Sequence, residues 1–143
     1  MAFVLSQRSR NRLVGVHPDL VRVVERAIGL TAVDFVVSEG ARSIDRQRDL
    51  VASGRSKTLN SKHLIQADGY AHAVDLVATG DLDGDGDIDA QDTEHVWDLV
   101  NYAAISAAVM DAARSEGVVV RWGGTFKTRD GKPWVDGPHF ELT

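Results

Sequence analysis

The chain alternates between two spacings of apolar residues. From Pro18 to Gly29, Leu20, Val23, Val24, Ala27 and Ile28 recur every three or four positions, which gathers them on one face of a helix that packs on a core. Pro18 suits the first turn, where its missing N–H leaves no bond unmade, and Gly29 suits the end. The run Asp34–Ser38, with Phe35, Val36 and Val37 at its centre, is too short for a helix and reads as a buried strand. Ser43 is placed to cap a second helix ending near Gly54, and residues 54–62 form a polar loop.

The second half reads the same way. Tyr70–Ala78 is a strand, with Val74, Leu76 and Val77 favouring extended backbone, and an aspartate-rich segment follows it directly. Ala90–Glu116 is rich in Ala, Leu and Val and predicts one long helix stopped by Gly117. Val118–Trp122 reads as a third strand, Asp130-Gly131 as a hairpin turn, and His139–Leu142 as a closing strand. Helices and strands mix without regular alternation and no internal repeat occurs. The expected class is therefore α+β, one small domain over residues 1–143 with a mainly antiparallel sheet packed against helices.

Composition narrows the chemistry. With 143 residues, 43% of them hydrophobic and 26% charged, the chain is expected to bury a real core as a compact monomer. It has no cysteine, which excludes disulfides, thiol catalysis and thiolate zinc sites, so any metal must be held by His, Asp or Glu. Met1–Arg12 lacks the features of a secretory signal and no later run approaches membrane-spanning length. Synthesis in the cytoplasm is expected, with no membrane insertion, and an extracellular substrate would need a separate route of release. The net charge of −5 is concentrated, because six acidic residues lie between Asp81 and Asp92 with no basic residue among them. The remaining surface is near neutral, against the basic footprint of a nucleic-acid binder.

Three segments place polar residues in apolar or turn-rich settings: Ser61-Lys-His63, Ala73-Val-Asp75 and Asp136-Gly-Pro-His139-Phe-Glu141. Two imidazoles and a carboxylate suffice for a catalytic zinc, which takes three protein ligands and keeps a position open for water. Strand alternation separates His72 from Asp75, since residues three apart face opposite sides and cannot both reach one metal. It favours Asp75 as ligand. His139 and Glu141 share one face of the last strand, with Phe140 and Leu142 turned to the core, so Glu141 is expected beside the site supporting a ligand. His17 and His95 read as ordinary hydrogen-bonded histidines, and Trp122, Phe126 and Trp134 as core or hairpin packing rather than substrate platforms.

The order Ser-x-His, Ala-Val-Asp, Asp-x-x-His-x-Glu resembles the D,D-peptidase/hedgehog-type zinc peptidases, and among them the L-alanyl-D-glutamate peptidases that serve as phage endolysins. Glu39-Gly-Ala-Arg42-Ser43 with Gln47, and Trp122-Gly-Gly, extend the likeness over most of the chain. The resemblance implies His63, Asp75 and His139 as zinc ligands and Asp136 as the catalytic carboxylate. It also implies Arg42 as the group binding a substrate carboxylate or the oxyanion, and Ser61 as part of the substrate site. Its expected substrate is the stem peptide of bacterial peptidoglycan, cut between L-alanine and D-glutamate in an infected host once the enzyme has passed the inner membrane. His63 and Asp75 are twelve apart, more than is common in the family, so Leu64–Tyr70 is read as containing an insertion and His72 stays a competitor for the first ligand position. A D,D- or L,D-carboxypeptidase and a non-catalytic calcium-dependent binding module are the rival readings.

Residues 81–92 match the twelve-residue EF-hand loop. Asp81, Asp83, Asp85, Asp89 and Asp92 fall at positions 1, 3, 5, 9 and 12, Gly86 sits at the sharp turn, and Asp87 offers its carbonyl at position 7. Position 12 is Asp where a longer Glu is usual, and a strand precedes the loop rather than a helix. So many like charges in so short a stretch repel one another unless a cation is present, and calcium is expected there.

Overall fold

The site is carried by a four-stranded sheet in which every neighbouring pair is antiparallel. In the computed structural model, which describes residues 2–56, 58–133 and 135–143, its strands are β1 (Phe35–Glu39), β2 (Ala73–Ala78), β3 (Val120–Trp122) and β4 (His139–Leu142), in the spatial order β1-β2-β4-β3. The last strand of the chain therefore lies inside the sheet, between two earlier ones. Its register sets Asp75 opposite His139 and Ala73 opposite Glu141. Alternation then sends Val74, Leu76, Phe140 and Leu142 to the other face. There they join Leu20, Val23, Val24 and Ala27 of helix α2 (Pro18–Leu30) and Ile105, Val109 and Ala112 of α4 (Leu99–Glu116) in one buried core. Burial of these aliphatic side chains, each contributing about 1.5–3 kcal/mol, is what fixes the face on which the polar residues are left. This is the α+β, antiparallel architecture expected.

Local signals explain most element ends. Ser43 caps α3 (Ile44–Ala52), its hydroxyl accepting the Arg46 N–H at 3.0 Å. His17 caps α2 through Nδ1, which accepts the Asp19 N–H at 3.0 Å, and Gly117 ends α4 in the left-handed conformation. At Asp130-Gly131 the Gly131 N–H bonds the Thr128 carbonyl, and Lys127 pairs with Pro133. Trp134 lies outside the described residues.

Three expectations need correction. The long helix is broken: Ala90–His95 is a 3-10 turn, and α4 starts only at Leu99. Asp89 and Asp92 form a reciprocal capping box at the first break, Asp98 precedes the second, and Asn101 and Tyr102 reach back to the carbonyls of His95 and Val96. Aspartates that stabilise helix starts thus outweigh the helical propensity of the alanines beyond them. Next, β2 begins at Ala73 rather than Tyr70, because Ile65–Ala71 form a small hairpin of their own, with Ile65 paired to Ala71 and the Gln66 N–H bonding the Tyr70 carbonyl at 2.9 Å. Finally, a helix not expected, α1 (Gln7–Arg12), covers β1. It is held by polar contacts, since Ser9 Oγ accepts the Val37 N–H and Arg12 donates to the Val37 carbonyl, both at 3.0 Å. An edge strand is thereby covered without the apolar stripe that would have announced the helix.

Candidate active site

Opposite registry puts Asp75 and His139 side by side on the sheet face away from the core, and a tight loop brings in the third group. Ser61 Oγ accepts the His63 N–H at 3.1 Å, while the His63 carbonyl accepts the Arg42 N–H at 2.7 Å. His63 is thus pinned from both sides. Its Nε2 lies 3.2 Å from Asp75 Oδ1, and His139 Nδ1 lies 3.2 Å from the same oxygen. The ligand-capable atoms of His63, Asp75 and His139 all fall within 4.8 Å of one another. The Ile65–Ala71 hairpin takes up much of the stretch between His63 and Asp75. His72 points elsewhere, its Nε2 2.7 Å from Asp68 and its ring edge-on to His17.

The far side of each imidazole decides what the near side can do. His63 Nδ1–H donates to the Gly40 carbonyl at 2.9 Å and His139 Nε2–H to Glu141 Oε1 at 2.9 Å. With those bonds kept, each ring in its neutral form would turn a lone pair toward the Asp75 carboxylate. Three acceptors facing one another with no donor between them call for a cation, and two imidazoles with one carboxylate, each imidazole oriented by an acceptor behind it, fit zinc. In the metal-free protein a proton takes that place. Burial alone would lower His139, but hydrogen bonds to Asp75 and Glu141 and their charges raise it to about 9. Burial would raise Asp75, yet the two histidines outweigh it and hold its carboxyl far below the usual range. Glu141, pushed up by burial and pulled down more strongly by His139, also stays ionised.

Asp136 begins the turn that leads into β4. Burial first, and the Asp75 charge second, raise its carboxyl above the ordinary range, against the opposing pull of His139, His63 and Arg42. Its backbone is fixed by a close approach: the Asp136 N–H bonds the Gly123 carbonyl at 2.9 Å, and a Cβ on Gly123 would stand 2.1 Å from the Asp136 carbonyl oxygen. The Trp122 indole N–H holds the same turn through the Gly137 carbonyl at 2.7 Å. The Trp-Gly-Gly stretch is therefore a cradle for the Asp136 turn. Gly40 plays a similar part under His63, since a Cβ there would meet the Arg12 carbonyl oxygen at 1.9 Å.

Arg42 is more than nine-tenths buried and rigidly held, with Nε on Glu39 at 2.8 Å and Nη1 on Gln47 at 2.7 Å, while Nη2 stays 3.9 Å from Asp75. Gln47 is fully buried and ties this network to the loop after α3 through Ser56 and the Thr58 carbonyl. Around these groups opens a cleft of about 980 Å³, bordered by Arg46 and Arg55 on one side and by Trp97 and Phe126 elsewhere. Ser61 borders it too. Phe126 was expected to be packing only; it does pack, tilted on the His139 ring at 5.5 Å with Arg121 over it, but it also lines the cleft. Trp97 is a cleft residue the sequence did not single out, hidden there inside a supposed helix.

In the aspartate loop the carboxylates of Asp81, Asp83 and Asp85 converge within 4.8 Å at the surface. Gly84 and Gly86, at φ +77° and +90°, let the chain fold back so that Asp81 accepts both their N–H groups. Asp92 has a different role from the one expected. It is buried, and its oxygens accept the N–H groups of Leu82, Asp83 and Asp89. Asp89 caps Gln91, Asp87 lies outside the cluster, and Ile88 is 76% exposed. The Asp85 amide lowers the Asp83 carboxyl, but desolvation, the side-chain hydrogen bond shared with Asp85 and the charges of Asp85 and Asp92 together raise the group.

A hydrolytic enzyme of the bacterial cell wall is the class to which this fold and cleft belong. The chain is a member of the phage L-alanyl-D-glutamate peptidase family, which it matches over residues 1–143. It is similar to the L-alanyl-D-glutamate peptidase of Escherichia phage T5, with 27% identity over 99% of both chains. Among solved structures it resembles the Serratia marcescens L-Ala D-Glu endopeptidase ChiX, at 43% identity and a TM-score of 0.74, covering 98% of this chain and 90% of that one. The protein is thus a peptidase acting on peptidoglycan.

Proposed function

We propose that this peptidase is a zinc-dependent endolysin that hydrolyses the L-alanyl-D-glutamate bond of the stem peptide, with zinc on His63, Asp75 and His139. The observation that carries this reading is the convergence of three acceptor atoms, each imidazole backed by its own acceptor, beside a buried carboxylate whose proton affinity is raised. A zinc ion bound there supplies an acidified water and a Lewis acid for the scissile carbonyl. Asp136 accepts the proton of the attacking water and passes it to the departing amine of D-glutamate, for which its raised pKa suits it. Arg42, locked by Glu39 and Gln47, offers Nη2 to the oxygen on which charge develops or to a substrate carboxylate. Ser61 holds His63 and faces substrate. Glu141 keeps His139 in the tautomer that leaves Nδ1 free.

An endopeptidase fits better than a carboxypeptidase, because the cleft lining includes Arg55 and Trp97 as well as the His63, Asp75 and His139 group, a larger space than the closed end a carboxypeptidase needs for a free carboxylate. A non-catalytic module would have no use for a buried Asp136. No helix among the described residues is long and apolar enough to cross a membrane, in keeping with an enzyme that accumulates in the infected cytoplasm and reaches the wall through a separately opened inner membrane. Calcium is the second proposed ion, bound at 81–92 by Asp81, Asp83 and Asp85 with help from Asp87, while Asp92 anchors the loop rather than filling the twelfth ligand position. Calcium there would neutralise the mutual repulsion of these carboxylates and stiffen the join after β2.

The test is digestion of purified muropeptides by the zinc-loaded enzyme, with fragments identified by mass spectrometry. The expected product carries a new amino terminus on D-glutamate and disappears after chelation. Release of terminal D-alanine instead would establish the carboxypeptidase.

A further inference from the structure

Beside the catalytic cleft lies a second groove, of about 560 Å³, whose described lining is Trp97, Leu99, Tyr102, Val135 and the Asp136-Gly137-Pro138 turn. Its character is apolar, and much of it is uncovered: Trp97 is 68% exposed, Leu99 53% and Val135 50%. Large apolar side chains clustered at a concave surface mark a place where something binds. Trp97 is presented rather than loose, since its ring stacks on Tyr102 with centroids 6.1 Å apart and planes 14° from parallel, and Tyr102 is itself buried and bonded to the Val96 carbonyl. Among the described residues, Trp97 and Asp136 border both spaces, so the groove continues the cleft at the group assigned to proton transfer.

We infer that this groove is the subsite for the N-acetylmuramic acid sugar from which the stem peptide hangs. The inference rests on the proposed L-alanyl-D-glutamate cleavage, because that bond is the one nearest the glycan. Only L-alanine and a lactyl link separate the scissile carbonyl from the sugar ring, about 7 Å at the ~3.3–3.6 Å per residue of an extended chain. A sugar must therefore lie close to the catalytic centre whenever intact wall is cut. Its ring presents C–H faces, and its acetamido and lactyl methyls, with the alanine methyl, are small and apolar. An exposed indole beside Leu99 and Val135 matches that chemistry.

Charge excludes the reverse placement. Beyond the scissile bond the stem tetrapeptide carries the free α-carboxylate of D-glutamate and its own terminal carboxylate, which would be desolvated against apolar side chains and repelled by Asp136 if they entered this groove. Arg42, Arg46 and Arg55 line the other space and none of them borders the groove. The anionic limb of the peptide thus runs toward α3 and the glycan limb toward the start of α4.

Two substrates test this: the disaccharide tetrapeptide, and the same tetrapeptide freed of sugar by an amidase. Wild-type enzyme should favour the sugar-bearing form by about tenfold to a hundredfold in kcat/KM, the range expected from burying one large apolar side chain. That ratio should fall to near one in Trp97→Ala, and in Leu99→Ser should Trp97→Ala fail to fold, whereas Trp97→Phe should keep most of it. A wild-type ratio near one, or a folded Trp97→Ala (or, in its place, Leu99→Ser) that keeps the full preference, overturns the subsite. Failure of wild-type enzyme to cut the L-alanyl-D-glutamate bond in either substrate would instead overturn the cleavage reading on which it rests.

Discussion

Asp136 is held in an environment that disfavours its charge, and the proposed mechanism gives that a purpose. A carboxylate that must take a proton and release it within one turnover works best when its pKa is nearer the operating pH. Asp136→Asn should keep zinc and fold while kcat falls by roughly 10²–10⁴. The pH dependence follows from the sign of the shift. The base works deprotonated, so kcat/KM should fall as pH drops through a pKa above the ordinary carboxylate range, and this limb should vanish in the residual activity of Asp136→Asn. Stability runs the other way, because a raised folded pKa favours the fold below the unfolded value and is a penalty once pH exceeds the folded one. Metal-free Asp136→Asn should therefore melt higher than wild type at neutral pH, with the gain disappearing in acid. Equal melting at both pH values would remove the claim that Asp136 is strained by its surroundings. At this scale much of the site was legible in sequence. Period-two alternation favours Asp75 over His72 in the sequence, although β2 begins only at Ala73 and His72 lies just before it. Nothing local could choose between His63 and His72 by position along a loop, and the answer lies in the hairpin that absorbs the intervening residues. The carbonyl of Gly40 behind His63 was likewise invisible, since a backbone acceptor leaves no trace in residue type.

Elements place these groups through a few close approaches. Gly123 lets the chain after β3 lie against the turn bearing Asp136, and Gly40 lets the end of β1 lie against α1. Gly123→Ala puts a methyl into a carbonyl oxygen with no flexible side chain to yield, so the backbone must move. A loss of about 1–3 kcal/mol in unfolding free energy is expected, with a fall in kcat/KM larger than the stability loss explains, since Asp136 moves with the turn. Denaturant melts and kinetics on one preparation check both, and a destabilised enzyme with unaltered kinetics would show the cradle to be structural only. The α2 helix, the strands and the Asp130-Gly131 turn followed from spacing and turn residues. The break before α4 did not, because it depends on aspartate caps and on Tyr102 and Asn101 reaching back, contacts between residues that read separately as helix formers or neutral. That break matters for function: it is where Trp97 leaves the helix and meets the cleft.

As a whole the molecule places two acidic sites at the ends of one short connection, with Asp75 inside β2 and the Asp81–Asp92 loop just beyond its end. If calcium binds only the folded loop, melting temperature should rise with calcium concentration by mass action, by about 2.7 kcal/mol in stability at a hundred times Kd. Asp81→Ala with Asp83→Ala should abolish that rise and most of the activity at saturating zinc. Activity that stays flat from submicromolar to millimolar calcium would leave the loop without influence on catalysis. The charge imbalance of the sequence had already pointed here, since the six aspartates of this loop outweigh the whole net charge of −5. Which aspartate does what was beyond the sequence: the spacing alone matches twelve-residue ligation, whereas the fold turns Asp92 inward to hold the loop's own N–H groups.

Every catalytic role proposed above depends on one zinc held by His63, Asp75 and His139, with no part for His72. Metal content measured by mass spectrometry on wild type, His63→Ala and His72→Ala tests this most directly. One zinc per chain is expected in wild type and in His72→Ala, with lytic activity in both, and loss of zinc and lysis together in His63→Ala. Full zinc in a folded His63→Ala protein, or its loss in His72→Ala, would contradict it.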